Sequence, residues 1–392
     1  MSSSTRPTST FNQFFDSEKS SGILLILCTV ISVLITNSSF GAEYLSIWHT
    51  KFLGLSIEHW INDGLMAIFF LLIGLELERE IYTGELSTLK KALLPLFAAI
   101  GGMAVPALIY FSLNQGTPTE DGIGIPMATD IAFALGALAI LGKRIPTSLK
   151  VFVVAFAVLD DLGAIVIIAL FYTAQLSLLY LMGAIVTWLF LITLNKKFKV
   201  MSLLPYLIGG ALLWVLMLKS GIHATIAGVL LAFAIPSNRK KNDQKSPSIR
   251  LEHILHKPVA FLILPIFALA NTGIVFDSNW LSSLTTSSGL GITAGLILGK
   301  PIGVLALSYF AVMIGLCRLP SDMNWVHLTG AGILGGIGFT MSIFITNLAF
   351  AGSPEIINAS KMAILIASLL AGVLGFMCLR FLAKPTPSHE ID

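Results

Sequence analysis

The stretch FAVLDDLGAI, Phe156 to Ile165, sets two adjacent carboxylates, Asp160 and Asp161, in a segment otherwise built of hydrocarbon. A charge carried into apolar surroundings is costly unless it is paired or wetted, so the environment of this segment decides what the pair is for. Composition identifies that environment. The 392 residues are 55% hydrophobic and 11% charged, with a mean hydropathy of +0.87, far from the averages of soluble domains. The chain reads as a membrane protein.

A hydrocarbon core about 30 Å thick takes about 20 apolar helical residues to cross. About twelve apolar runs of that order stand between polar breaks. In sequence order, and numbered here as spans one to twelve, they are Gly22–Thr36, Trp60–Leu77, Ala92–Leu113, Ile123–Leu141, Val151–Tyr172, Leu178–Leu194, Leu203–Leu218, Ile222–Ile235, Val259–Ile274, Leu290–Leu316, Val326–Phe350 and Met362–Leu382. Their continuity, without the two-residue alternation of an outer-membrane strand, predicts an all-α polytopic bundle and not a barrel. No loop is long enough for a separate soluble domain. A polar tail over 1–21, one membrane unit over 22–382 and a second tail over 383–392 follow. The first tail lacks the charged, apolar and small-residue order of a cleaved signal peptide. Cys28, Cys317 and Cys378 match no metal or disulfide spacing.

Lys and Arg near span ends accumulate on the cytoplasmic side. Arg6 and Lys19, then Arg79, Lys90 and Lys91, then Lys143, Arg144 and Lys150, fall on alternate loops. The series continues with Lys196, Lys197 and Lys199, the run Arg239 to Lys257, Arg318, and finally Arg380 and Lys384, while the intervening loops hold only Lys51, Lys219 and Lys361. Both termini are therefore expected in the cytoplasm, with an even number of spans. The net charge of +3 reports this topology and gives no indication of nucleic acid. The loop SIWHTKFLGLSIEH is a candidate short hairpin outside the bilayer.

Ionisable residues at membrane depth usually line a pathway. Asp130 in span four, Asp160 and Asp161 in span five and Lys300 in span ten are such residues, whereas Asp63 and His223 sit at span ends. Mutual pairing that glues helices is the plainer alternative. Neighbouring residues on a helix point about 100° apart, so Asp160 and Asp161 do not face one packed partner. A wide watery cavity would serve both. The pair titrates as a coupled unit and offers oxygen ligands to a hard cation, so protons and a cation can exchange there.

Two spans look broken. GIGIPMATD in span four brings Gly122, Gly124 and Pro126 up to Thr129 and Asp130, and GAGILGGIGFTMS in span eleven holds Gly330, Gly332, Gly335, Gly336 and Gly338. Pro removes a backbone hydrogen bond and clustered Gly weakens a helix. One interrupted span in each half points to a site between inverted repeats. The broken ends carry partial charges of both signs, which Asp130 and Lys300 could offset.

FAVLDDLGAI, ATDIAFALG, LILGKPIG, GIGFTMSIFI, WINDGLMAIFFLLIGLELERE and LEHILHKPVAFLILP together resemble the NhaA family of sodium/proton antiporters over nearly the whole chain. That family is itself a type example of inverted repeats, so the pattern and the resemblance are one observation. The resemblance implies a twelve-helix antiporter of a bacterial inner membrane that exports Na+ or Li+ for protons, with interrupted helices crossing at mid-membrane. It implies Asp161 as main cation ligand, assisted by Asp160 and Thr129, and a pairing of Asp160 with Lys300 in which either member carries a second proton. Asp130 and Lys300 take the dipole-compensating positions. Glu76, Glu80, Glu252 and His253 match a pH-sensing mouth, for which a solvated charged face is the alternative, and the hairpin after span one matches a homodimer contact. The loop KKNDQKSPSIR departs from the family in its basic positions.

Such a carrier is not an enzyme and needs no cofactor. A cation channel would conduct without counter-movement of protons. An intramembrane aspartyl protease would need a GxGD motif and acids on separate helices; the motif is absent. GLILGKP, Gly295 to Pro301, echoes a phosphate-binding loop but has short glycine spacing and no Ser or Thr after Lys300.

Overall fold

A computed structural model describes residues 9–172, 176–237, 246–276 and 280–383. Arg6, the basic stretch from Arg239 to Lys245 and the tail beginning at Lys384 lie outside the described residues. The apolar runs fold as helices, the form that satisfies every backbone N–H and C=O inside the segment. Among the described residues, eight helices are long and apolar enough to span a bilayer. These are spans two (Ile57–Tyr82), three (Leu89–Asn114), four (Glu120–Leu141), five (Thr147–Phe171), six (Leu178–Lys196), nine (Pro247–Asn271), ten (Ser287–Met313) and twelve (Pro354–Leu382). Span eleven is two helices, Trp325–Gly335 and Phe339–Ala349, bent by 43°. Span one, Ser20–Thr36, turns through 115° into the short helix Gly41–His49.

A count of twelve full-length spans is not reached, because spans seven and eight are short. Span seven, Leu204–Ser220, stops at Gly221 in the left-handed region with φ 86°. Span eight is helical only over Ile226–Ala234. Pro236 disfavours helix at the preceding residue, and Ile235 is extended with ψ 140°. The expected hairpin is present: Lys51–Phe52 pairs antiparallel with Leu55–Ser56, Lys51 opposite Ser56. Its two-residue turn has Leu53 at φ 50° and Gly54 at φ 87°, both left-handed, which is the twist that joins hairpin strands.

Spans three, four and five pack with spans ten, eleven and twelve into one body. The middle member of each triplet is the broken one, as in a duplicated three-span unit. Spans two and six to nine form a second group, and span one lies between spans four and nine. Spans three and ten cross at Gly101 and Gly303. A Cβ at Gly101 would stand 2.0 Å from the Gly303 carbonyl oxygen, and a Cβ at Gly303 would stand 1.9 Å from that of Gly101. Only paired glycines allow the backbones so close. Lys300 lies one turn before this crossing, so the contact fixes where its side chain starts.

Gly101→Ala and Gly303→Ala should each therefore lower stability by roughly 3 kcal/mol, the upper end of overpacking costs. Gly372→Ala is the control, since its Cβ would meet Ile337 at an ordinary 3.6 Å. Unfolding midpoints in detergent should fall for the first two and hold or rise for the third.

Candidate functional site

The two breaks face each other. In span four a 3-10 segment, Glu120–Met127, gives way to extended backbone at Ala128 (ψ 151°) and Asp130 (ψ 102°), and an α-helix starts at Ile131. In span eleven the break is Gly336–Gly338. None of Gly335, Gly336 and Gly338 has a positive φ; what requires Gly336 is space, since its Cβ would stand 2.3 Å from the carbonyl oxygen of Leu296 in span ten. The Asp130 amide donates to the carbonyl of Ile337 at 2.6 Å, tying one break to the other.

Each break exposes a helix N-terminus with a partial positive charge. One carboxylate meets both. Asp130 Oδ1 accepts from the Phe133 amide at 3.2 Å, and Oδ2 accepts from the Thr340 amide at 3.1 Å and from the Thr340 hydroxyl. The opposite end of the break in span eleven is met by a hydroxyl: Thr129 Oγ1 donates to the Gly335 carbonyl at 2.8 Å. Ser342 Oγ donates to the Ile125 carbonyl at 2.7 Å, a third tie between the spans. Thr340 and Ser342 were not among the residues singled out from sequence. The signal lay in their position just past the glycine cluster, where a hydroxyl has an exposed helix end to meet.

Asp160 and Asp161 sit midway along span five, both with 0% exposure. Lys300, also at 0%, donates from Nζ to Asp160 Oδ2. Span ten widens into a π-helical turn over Gly295–Gly299 just before this lysine, a distortion common at functional positions. Its ammonium also stands 5.5 Å from the centre of the Phe156 ring, a favourable cation–π position. Lys300 thus reaches Asp160, and no broken-helix carbonyl is among its described hydrogen-bond partners. Among the described residues, no donor hydrogen-bonds to Asp160 Oδ1 or to either oxygen of Asp161. Thr129 lies beside Asp160, and the charges acting on Asp161 come from Asp160, Asp130, Lys300 and Glu76.

Among the described residues no wide cavity reaches the pair, since neither Asp160 nor Asp161 has any exposed surface. A cavity of about 40 Å³ opens between spans one, two, four and nine, lined among others by Phe69, Ile73, Glu76, Ile131, Leu135 and His256. That volume holds a few waters at most. Asp160 and Asp161 are not among its lining residues.

At the mouth, Arg79 joins two of the acids named from sequence. Its Nε donates to Glu252 Oε1 at 2.9 Å, and its Nη1 meets Glu80 Oε1 at 2.8 Å. Glu80 and Glu252 are thereby brought together across spans two and nine. His253 is exposed, whereas His256, almost one turn further on, lines the cavity with Glu76. His256 was not among the residues singled out from sequence.

A duplicated three-span unit whose broken helices cross beside a buried carboxylate pair defines a membrane carrier of the inverted-repeat class. The chain belongs to the Na+/H+ antiporter 1 family, whose family model matches residues 12–379. It is 66% identical over 377 residues to the Na(+)/H(+) antiporter NhaA of Dechloromonas aromatica, covering 96% of this chain and 97% of that one. It is 57% identical over 375 residues to Na(+)/H(+) antiporter NhaA 1 of Flavobacterium johnsoniae, covering 96% and 97%. The NhaA of Vibrio campbellii is 50% identical over 380 residues, covering 96% and 97%. The members of this family are transporters, not enzymes.

Removing one partner of a buried ion pair strands the other charge and costs about 3–5 kcal/mol. Lys300→Met should destabilise the folded protein by that amount, and adding Asp160→Asn should recover most of it. Urea or detergent unfolding midpoints of the single and double variants check this.

Proposed function

We propose that this chain exports Na+ or Li+ across a bacterial inner membrane in exchange for protons, two per cation, by alternating access at Asp160 and Asp161. The observation that carries this reading is Asp161, fully buried with neither carboxylate oxygen accepting a hydrogen bond. A carboxylate so placed is tolerated only when something neutralises it. A proton does this, and so does a hard cation, which prefers carboxylate and hydroxyl oxygens. Both cannot occupy the same oxygens, so binding of one displaces the other.

Asp161 acts as the main ligand, with Asp160 and the Thr129 hydroxyl oxygen completing the cage. Cation binding near Asp160 competes with the Lys300 ammonium for the same carboxylate. The second proton leaves from whichever member of that pair gives way. Asp130 stays in place, holding the two helix N-termini while the crossing rearranges. With the site open inward the carboxylates release protons and take one Na+; with it open outward they take protons again and the cation leaves.

One turnover moves a net charge, so a membrane potential drives export at about 2.3 kcal/mol per charge per 100 mV. The membrane unit spans 22–382, with both tails in the cytoplasm. Glu76, Glu80, Glu252 and His253 tune activity to pH at the inner mouth, through the Arg79 bridge that spans two and nine share. A second copy docks through the hairpin, whose Phe52 and Leu53 are 61% and 78% exposed.

In sealed proteoliposomes a sodium gradient should drive proton movement. Asp161→Asn should reduce that flux at least a hundredfold while leaving the unfolding midpoint within a few degrees. An imposed potential should change the wild-type rate; a flux indifferent to potential would mean one-for-one exchange.

A further inference from the structure

Three carboxamides, the middle one buried and the outer two half-buried, form a chain of hydrogen bonds across spans two, nine and eleven. Asn347 Nδ2 donates to Asn271 Oδ1 at 2.5 Å, and Asn271 Nδ2 donates to Asn62 Oδ1 at 2.8 Å. Asn271 has no solvent exposure. Its amide also donates to the Phe267 carbonyl of its own helix at 3.0 Å, so its orientation is fixed. The Leu269 carbonyl beside it accepts from Tyr44 at 2.7 Å and from Ser32 at 2.9 Å. Span nine is thus tied to span one and its outer helix, and Asn347 is the member that belongs to a broken span.

A second layer lies under this one. Phe344, almost one turn before Asn347, packs between Phe70 of span two and Phe267 of span nine, with ring centres 5.6 and 6.3 Å away. The same three helices therefore meet twice, once through rings and once through amides. Asn347 is eight residues past Phe339, or about 12 Å along the helix from the break. The cavity between spans one, two, four and nine touches Phe69, Ile73 and Glu76 on span two and Leu264 on span nine. Amides and cavity thus occupy opposite ends of the same two helices, with the carboxylate level between them.

We propose that Asn62, Asn271 and Asn347 form the latch that keeps the site shut on the side away from the cavity. Alternating access then requires the Asn347 to Asn271 bond to part, freeing the Phe339–Ala349 half of span eleven from spans two and nine. This rests on the antiport reading of the site. Carboxamides suit the task physically. Their hydrogen bonds are directional but modest in net strength, so they can part and re-form during a cycle. They carry no charge that would be held by the membrane potential. An ion pair in this place would be expensive to separate and would offer a carboxylate to the departing cation.

The test uses the full chain with its native cysteines replaced. Asn271→Cys and Asn347→Cys are combined and bridged by a short, cleavable bifunctional thiol reagent. Bridging should cut sodium/proton exchange in proteoliposomes at least fiftyfold, leave calorimetric Na+ affinity within about threefold, and be reversed on cleavage. Undiminished exchange in the bridged protein would overturn the latch and leave the antiport reading standing. An unbridged protein that binds no Na+ would overturn the antiport reading and the latch with it. Independently, Asn271→Ala should raise amide hydrogen exchange across 344–349 at least tenfold while leaving Trp325–Gly335 unchanged. No rise, or an equal rise in both halves of span eleven, would overturn the proposal.

Discussion

A carboxylate taken out of water must find a partner, and the arrangement of this bundle follows from how its three central acids meet that demand. Asp130 meets it with two helix N-termini, accepting from Phe133 on one side and Thr340 on the other. Asp160 meets it with Lys300. Asp161 has neither kind of partner. The first arrangement is structural, the second is an exchangeable pair, and the third leaves a position for something that comes and goes. One bundle therefore holds three acids in three states of satisfaction, and that gradation is what separates scaffold from site.

The broken helices make this possible. An unbroken span four would spend its backbone amides on its own carbonyls and leave Asp130 with nothing to accept from. The breaks release amides at the depth of the acids, and the close crossing of spans three and ten at Gly101 and Gly303 brings Lys300 to the same level. The ties between the two breaks are short and buried, from the Asp130 amide to Ile337, from Thr129 to Gly335 and from Ser342 to Ile125. Spans four and eleven are thus bound to act together, whereas the contacts of span eleven with spans two and nine at the far end are a ring layer and a chain of amides.

Much of this was legible in the sequence. Hydropathy placed the long apolar helices, Gly and Pro marked both interruptions, and the isolated charges marked the acids and the lysine. What local signals could not supply was the partner of each side chain. Thr340 meets Asp130 from 210 residues away, and nothing near either residue announces it. Thr129 gives its hydroxyl proton to Gly335, 206 residues away, a partner equally absent from the local sequence. His256, which lines the cavity beside Glu76, was not read from sequence, because nothing local shows which face of the helix meets span two. The wide cavity expected around Asp160 and Asp161 was inferred from charge alone, whereas both side chains are packed with no exposed surface. Span eight was legible as apolar but not as short, a matter decided by Pro236 and by the turn at Gly221.

The central claim is that protons and a cation compete for Asp160 and Asp161. The most direct measurement is the number of protons released when Na+ binds to the purified protein, obtained by calorimetry in two buffers of different ionisation enthalpy. The account predicts release approaching two protons per Na+ bound, with binding and release both lost in Asp161→Asn. Sodium binding that releases no proton in the wild-type protein would contradict it.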